Sequence, residues 1–474
     1  MIEAAPSAKA KVEPGWGRTL AYAGYALPAG LMVPPFSLLL PAFYAQVMGV
    51  SLGVVGTVVG ALKIYDLIFN PILGVVSDRT RTRFGRRRPW MLAGAPLLAI
   101  GLWLTFAPPV AHAGAAYLTI ALLIYYTGSS LVMIPYYALG AETPATPYGR
   151  ARMLGLRETV MMAALIFAGL CPLLAQALHF PAASRQTMMI FLIALAVVTP
   201  PALAGLLLGV PDRPTHEAKA PPLDPLDVFR DFRDALVTNK AFARLVFAYA
   251  IINFAIFTEQ SIALFFLSKV LLIEKTFSIA LLVQGAVTVL AAPVWVVLSR
   301  RFELHRLIAA SVTLACLFRT TAYSLLPPGQ PGAFLAIQAV GAALFAGALV
   351  LASAIQASAI EHGTLTTGRE RAGVYTAANT LISQIAGALP FMLVLPLVQW
   401  AGFSATGPST ARGLAVLRFI AIYGAAPFQL FGAWLLWRFP ISRREAAQTA
   451  ADLMARRNVE IANPEIELGA IPAD

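Results

Sequence analysis

The chain has few cysteines, few histidines and no recognisable nucleotide-binding loop. Its two cysteines, Cys171 and Cys316, lie inside apolar segments, so the sequence predicts neither a disulfide framework nor a zinc cluster. No glycine-rich loop ends in Gly-Lys-Ser or Gly-Lys-Thr, which argues against ATP coupling within this chain. No nucleophile and base occur at useful spacing and no metal ligands cluster, so we expect neither an enzyme nor a bound cofactor.

Charged residues are also scarce, and long apolar runs take their place. Charged residues make up 12% of the chain and its mean hydropathy is +0.73, whereas an ordinary soluble domain has about 25% charged residues. Runs of about 20 apolar residues cross a ~30 Å hydrocarbon core as helices. The sequence therefore predicts an all-α membrane protein with twelve transmembrane helices, at approximately residues 18–47, 51–77, 90–109, 113–140, 153–178, 187–210, 241–271, 277–298, 307–327, 333–360, 373–399 and 413–438.

The basic residues alternate between the two sides of the predicted membrane. The connections after spans two, four, six, eight and ten contain most of them, including Arg79 to Arg88, Arg150, Arg152, Arg213, Arg300, Arg301, Arg306, Arg369 and Arg371. The other connections have little beyond Arg185, Lys275 and Arg412. This positive-inside bias predicts that both termini are cytoplasmic. Because the net charge of +12 is divided among loops, it does not form the continuous basic surface that nucleic acid requires.

A polar stretch divides the chain into six spans and six. Between Pro211 and Lys240 the hydropathy collapses, and the second part of this stretch has the spacing of an amphipathic helix lying on the membrane. The first residues lack the charged-then-apolar order of a cleavable signal. We predict a cytoplasmic tail, a six-helix bundle, a cytoplasmic linker with a helix, a second six-helix bundle and a cytoplasmic tail, at residues 1–17, 18–210, 211–240, 241–438 and 439–474.

Three motifs resemble one transporter family. They are "GVVSDRTRTRFGRRRPW" (Gly74 to Trp90), "KIYDLIFNPILG" (Lys63 to Gly74) and "SAIEHGTLTTGRERAG" (Ser358 to Gly373). Each is similar to a segment of the glycoside-pentoside-hexuronide cation symporters, the melibiose-permease-like branch of the major facilitator superfamily that is related to sucrose transporters. The resemblance implies the major facilitator fold and transport by alternating access.

By the same resemblance, Asp66 corresponds to the first acid of the family's cation site in span two, and Asn70 replaces the second acid. A hard cation such as sodium prefers several oxygen ligands, whereas one carboxylate can bind and release a proton. We therefore expect proton coupling through Asp66 rather than sodium coupling. Lys63 lies three residues away on the same helix face, so a permanent Lys63–Asp66 ion pair with uncoupled transport is the alternative.

The resemblance also suggests substrate contacts. Arg157 aligns with a sugar-contacting arginine of span five and Tyr137 with an aromatic residue of the sugar pocket. The alternatives are a helix-end arginine that pairs with Glu142 or a lipid phosphate, and a tyrosine that only packs. Lys63 is a further candidate because its predicted depth is that of the substrate site in transporters.

The second half offers further polar candidates. Glu259 is either a cavity carboxylate or the ion-pair partner of Arg319. Three polar residues of span eleven could bind hydroxyl groups, since the family's lysine is absent there: Asn379, Ser383 and Gln384.

The arginine-rich loop after span two is a candidate gate. Asp78 and the arginines around it could pair with carboxylates or helix carbonyls of neighbouring spans and hold one side closed. The alternative is a loop that only anchors the topology. The predicted gate residues are Asp78, Arg79, Gly85, Arg86, Arg87, Glu142, Glu361 (beside His362) and Arg369.

Together these features predict a secondary transporter of a sugar, glycoside or sugar acid, driven by a proton gradient across the bacterial inner membrane and functional as a monomer. Gly30 and Met133 stand where melibiose permeases have carboxylates. A cavity with fewer acceptors would suit an amphipathic or apolar solute, such as a lysolipid or an aromatic compound, and this is the alternative. A receptor or scaffold that uses the same fold without transporting a solute is an alternative from another functional class. The short tails offer no obvious docking site for a partner of such a protein.

Overall fold

The computed structural model describes residues 15–143, 147–212, 225–367 and 372–462, and within them the membrane-spanning structure is helical. Twelve helical stretches are long and apolar enough to cross a membrane in the described part of the chain, which confirms the predicted number. The spans are α1 (Trp16–Gly24, Ala26–Pro34 and Leu40–Gln46), α2 (Leu52–Arg79), α3 (Arg88–Phe106), α4 (Ala115–Glu142), α5 (Pro147–Ala168 and Leu170–Ala177), α6 (Arg185–Gly209), α7 (Lys240–Phe265), α8 (Phe277–Leu298), α9 (Leu304–Leu325), α10 (Pro331–Val350 and Ala352–Thr367), α11 (Ala372–Trp400) and α12 (Ala411–Phe419 and Ala426–Trp437).

Short π-helical turns interrupt or extend three of these spans. Pro35–Leu39 joins two parts of α1, Phe266–Val270 extends α7, and Ile420–Gly424 lies within α12. In α1 the turn follows Pro34, and a proline cannot donate the hydrogen bond that a regular helix requires. In a π turn each N–H group donates to the carbonyl group five residues earlier. The backbone hydrogen bonds are thus still made inside the apolar bundle.

In the described part of the chain, two α-helices lie outside the spans. The predicted linker helix is present at Pro225–Thr238, and it contacts α7 and α11. The segment predicted as a C-terminal tail contains a helix at Arg443–Ala462, which packs on the second part of α10. The N-terminal tail up to residue 14 lies outside the described residues.

The helices pack mainly within the two halves. In the first half α1 packs on α5 and α6, and α4 packs on α2 and α3; in the second, α7 packs on α11 and α12, and α10 on α8 and α9. The two halves meet through α2 with α11, α1 with α7 and α5 with α8. We call the side that carries the start of α1 and the end of α12 the terminus side, and the opposite side the loop side.

The halves are joined on the loop side. There a single buried cluster contains residues of both halves, including Phe43 and Leu52 from the first and Phe265 and Leu395 from the second. On the terminus side the second half has a separate buried cluster around Tyr375. The protein is therefore closed on the loop side, and the halves share no buried cluster among the described residues of the terminus side.

Close contact between α2 and α11 depends on glycine. The N–H of Gly53 donates to the side-chain oxygen of Gln399. A Cβ placed on Gly56 would lie 2.8 Å from the Cβ of Leu395 and would also strike the backbone carbonyl of Phe391. Small residues let two membrane helices approach at backbone distance, so Gly56 sets how tightly the loop side closes.

We expect Gly56→Ala to destabilise the closed form by about 1–3 kcal/mol, because the added methyl group must push α2 away from α11. Gly155→Ala is the matched control, since a Cβ on Gly155 meets nothing within 4 Å. Thermal unfolding of the purified variants measures the difference. Equal melting temperatures for the two variants would contradict a close contact at Gly56.

Candidate functional site

The predicted cation-site residues are in contact. The hydroxyl of Ser130 on α4 donates to Asp66 Oδ1, and the side-chain amide of Asn70 donates to Oδ2 at 3.1 Å. Asn70 follows Asp66 by one helical turn on α2, which explains why the two side chains meet. Sequence reasoning missed Ser130, although the polar run "TGSS" in the middle of apolar α4 (Thr127 to Ser130) could have indicated it.

The Asp66–Asn70–Ser130 cluster has one acceptor without a partner. Asn70 Oδ1 is buried and accepts no hydrogen bond from the described residues. A buried acceptor of this kind loses the hydrogen bonds that it would make in water. The cluster can therefore accommodate an additional donor, such as a protonated carboxyl group or an ordered water molecule.

Lys63 does not pair with Asp66 in this structure. Its ammonium nitrogen lies 4.5 Å from the ring centroid of Phe257 on α7 and 4.5 Å from that of Phe391 on α11. No Lys63–Asp66 ion pair is present among the described side chains. The structure therefore does not show the alternative of a permanent Lys63–Asp66 ion pair. The aromatic partners of this lysine belong to the other half of the protein.

Arg157 and Tyr137, the two substrate-contact candidates from the resemblance, lie together. The guanidinium carbon of Arg157 is 5.2 Å from the Tyr137 ring centroid, and the guanidinium also pairs with the neighbouring Glu158. Tyr137 is 41% exposed, and its role in stacking on a substrate stays a prediction. The alternative partner of Arg157, Glu142, has its side chain outside the described part of the structure.

The neighbouring tyrosine supplies the packing. Tyr136 is buried and stacks on Tyr22 with a centroid distance of 4.6 Å, and its edge meets Tyr25 at 5.1 Å. This cluster fixes α4 against α1 and leaves Tyr137 on the exposed side. Successive residues of a helix point about 100° apart, so one tyrosine packs while the next is available for binding.

The candidate polar residues of α11 are accessible. Asn379 donates to the side-chain oxygen of Gln356 on α10 at 3.4 Å, and Gln356 is a residue that sequence reasoning missed. Ser383 and Gln384 are half-buried. Their roles as hydroxyl binders stay predictions.

Glu259 pairs with Arg319, which is the second of the two roles that the sequence left open. The carboxylate lies 2.6 Å from the guanidinium of Arg319 on α9 and accepts a hydrogen bond of 3.0 Å from Gln429 on α12. A small pocket beside the pair is lined by Cys316 and Tyr323 among others. Because α7 and α9 each pack on α12, this ion pair lies between helices of the second half. A substrate contact by Glu259 stays a prediction.

The arginine-rich loop is tied to its own half by a residue that sequence reasoning missed. Asp212, just after α6, accepts hydrogen bonds from the backbone N–H groups of Arg87 at 2.6 Å and Arg88 at 3.0 Å. The guanidinium of Arg87 donates to Ser77 at 3.0 Å. An acid that follows a span could have been recognised as a cap for the start of α3, where a carboxylate is favoured by the free N–H groups.

Gly85 is required by this arrangement. Its φ is +107°, and a Cβ there would strike the carboxyl group of Asp212. Of the other predicted gate residues, Arg79 is exposed and Glu361 is half-buried. Arg86 lies within the described loop. Arg369 and the side chain of Asp78 lie outside the described residues. The predicted gate contacts between the halves stay predictions, and the hydrogen bonds described here from Arg87 and Arg88 to Ser77 and Asp212 lie within the first half.

A comparison with protein families agrees with this fold. The family described as "MFS/sugar transport protein" matches residues 21–443. The chain belongs to this family. Membership confirms the resemblance drawn from the motifs and the all-helical major facilitator fold, and it agrees with a transport protein rather than an enzyme. With its twelve spans, the chain is a multi-pass membrane protein of the MFS/sugar transport family.

Individual relatives are more distant. The inner membrane symporter YicJ of Escherichia coli is 33% identical over 141 residues, which are 26% of this chain and 30% of YicJ. The matched region thus spans less than a third of that relative. A glucuronide carrier protein homolog of Escherichia coli is 22% identical across 90% of this chain and 92% of its own length. A crystal structure of a mutant of the nucleoside transporter NupG superposes with a TM-score of 0.63 at 13% identity, covering 89% of this chain and 99% of that one. This similarity shows a shared fold.

We expect Asp212→Asn to loosen the arginine-rich loop, because an amide cannot accept from Arg87 and Arg88 as strongly as a carboxylate does. The loss should amount to about 1–2 kcal/mol, the usual value of a helix cap. Limited trypsin digestion of the purified protein measures it as faster cleavage within the loop. Asp234→Asn, which changes an exposed acid of the linker helix, is the control, and equal cleavage of both variants would contradict the cap.

The Glu259–Arg319 pair predicts strong non-additivity. Glu259→Gln leaves Arg319 with an uncompensated charge between helices and should cost about 3–5 kcal/mol of stability. The double variant Glu259→Gln/Arg319→Met removes both charges and should recover most of this loss. Thermal unfolding of the three proteins tests the coupling, and a double variant less stable than Glu259→Gln alone would contradict it.

Proposed function

We propose that this protein is a secondary active transporter that moves a sugar or glycoside together with a proton by alternating access. The observation that carries the proposal is the carboxylate of Asp66, held by Ser130 and Asn70 in the middle of a membrane helix. A charge at this depth costs at least ~2.5 kcal/mol on insertion scales, and such residues mark ion and substrate pathways.

A proton is favoured over sodium by the composition of the cluster. It offers one carboxylate, and both carboxylate oxygens already accept hydrogen bonds from neutral donors. A metal cation would have to attract further oxygen ligands, whereas a proton needs only one oxygen of Asp66 and an acceptor. Asn70 Oδ1, which has no partner among the described residues, is an acceptor on the same cluster.

A sugar or glycoside is supported by the pairing of Tyr137 with Arg157. An exposed ring can stack on the apolar face of a sugar, and the forked guanidinium can donate to paired hydroxyl groups or to the carboxylate of a sugar acid. Asn379, Ser383 and Gln384 offer further donors and acceptors from the second half. YicJ is named a symporter and the other relative a glucuronide carrier homolog, which favours the same class of solute.

Alternating access follows from how the halves meet. In this structure the halves are packed on the loop side, through α2 with α11 and α1 with α7. We assign the terminus side to the cytoplasm of a bacterial inner membrane, because the basic loops lie there. With this assignment, packing on the loop side supports a state closed towards the outside, and transport requires the loop-side contacts to separate while terminus-side contacts form.

The test is uptake of radiolabelled sugars and glycosides into proteoliposomes under a pH gradient, a sodium gradient or neither. Wild type should accumulate a sugar only under the pH gradient. Asp66→Asn should lose accumulation but retain exchange down a gradient, because the amide cannot carry a proton. Asp234→Asn is the matched control for loss of a carboxylate.

Three outcomes would overturn parts of the proposal. Accumulation driven by sodium would replace the proton as the coupling ion. Unchanged proton-driven accumulation in Asp66→Asn would remove this residue from coupling. Absence of sugar uptake under every gradient, from protein shown to be folded, together with uptake of a lysolipid or an aromatic compound, would reassign the solute class.

A further inference from the structure

Lys63 is the in-span charge whose partners come from the other half of the protein. Its ammonium lies against the rings of Phe257 and Phe391, whose centroids are 6.4 Å apart at an interplanar angle of 56°. A cation held between two aromatic faces is stabilised by their negative electrostatic potential, most strongly away from water. Within its own half, the carboxylate of Asp66 lies three residues away on the same helix.

The two possible partners respond differently to movement of the halves. Phe257 and Phe391 belong to the second half, so they leave Lys63 when α2 separates from α11. Asp66 and its donors, Ser130 and Asn70, all belong to the first half and stay together. Once the rings have gone, an ammonium in the membrane interior must find another partner, because an unpaired charge there is costly.

We propose that Lys63 is a counter-ion that changes partner with conformation: it lies between Phe257 and Phe391 while the loop side is closed, and it pairs with Asp66 when the loop side opens. This inference rests on the proposed function in one respect, the rocking of the halves. It assigns Lys63 a positioning role instead of the substrate contact expected from the sequence.

The exchange links the protonation of Asp66 to the state of the protein. An ionised Asp66 can accept Lys63 and so stabilises the loop-side-open state. A protonated Asp66 cannot form the ion pair, which leaves the closed state, with Lys63 between the rings, as the favoured one. The proton is thus the ligand that shifts the equilibrium between the closed and the open state. It does so by determining whether Lys63 can pair with Asp66.

The titratable groups that interact with Asp66 are Lys63 on α2 itself and the phenols of Tyr125, Tyr126 and Tyr137 on α4. An ordinary phenol is uncharged at physiological pH. The described part of α11 contributes no charged side chain, and on α7 the carboxylate of Glu259 is paired with Arg319. Among the described side chains, titration of Asp66 therefore changes the charge balance at Lys63 without a second carboxylate that acts on Asp66.

The closed state can be followed with a cysteine at Leu395, which is 0% exposed and packs against Gly56. In a Cys171→Ala/Cys316→Ala background, the rate at which a polar maleimide labels Leu395→Cys in nanodiscs reports loop-side opening. Phe257→Leu should speed labelling on the order of threefold to tenfold, because it weakens only the closed state. Asp66→Asn should slow labelling by a similar factor, because it removes the partner in the open state.

Two controls separate charge from packing. Phe254→Leu removes a ring from the same helix that packs on Phe428 within the second half, and it should change labelling less than about twofold. In a Lys63→Met background the effects of Phe257→Leu and Asp66→Asn should both disappear. Labelling of the parent protein should slow as the pH falls, and labelling of Asp66→Asn should not depend on pH.

The proposal is overturned if Phe257→Leu has the same effect with and without Lys63, or if Asp66→Asn does not slow labelling. Labelling needs neither solute nor gradient, so it decides the role of Lys63 even if the solute or the coupling ion differs from those proposed. Loss of proton-driven uptake in Asp66→Asn without any change in labelling would leave the transport proposal standing and remove only the partner exchange.

Discussion

The arrangement of this protein depends on the cost of placing a charge in a hydrocarbon environment. Each in-span charge that the sequence singles out has found a partner: Asp66 a hydroxyl and an amide, Lys63 two rings, Arg157 its neighbour Glu158, and Glu259 the guanidinium of Arg319. These partners differ in kind, and the difference is informative. A carboxylate held by neutral donors can be protonated without leaving a bare cation behind, whereas neutralising Glu259 would leave Arg319 unpaired.

The two halves therefore contribute unequal chemistry to one fold. The charges of the second half are joined within it, between α7, α9 and α12, and they hold its helices together. In the first half the Asp66 cluster retains a free acceptor, and Lys63 extends across the interface to the other half. The proposed proton coupling requires such an incompletely hydrogen-bonded site, because a fully paired network would lose interactions when a proton binds or the halves move.

Much of the fold could be predicted from the sequence, because span length and hydropathy are local properties. The twelve spans and the linker helix follow from them, and the Asp66–Asn70 contact follows from helical spacing. Contacts across long separations could not be predicted in this way. Asp212 meets Arg87 over 125 residues, and no local pattern relates them. For Glu259 the sequence named the right partner but could not choose between ion pair and cavity, because the choice depends on how α7 and α9 pack.

The Lys63–Asp66 ion pair, one alternative that the sequence left open, is absent from this structure for a physical reason that concerns transporters in general. A spacing of three residues indicates that two side chains can meet on an isolated helix. It does not indicate which side chains of the other half also contact them. Here two aromatic rings of the second half compete with the carboxylate, and the glycines of α2, Gly56 among them, let α2 approach α11 closely. The partner of a midplane charge is thus a property of one conformation. In a protein that works by exchanging conformations, an ion pair expected from the sequence can be the contact of the state that the structure does not show.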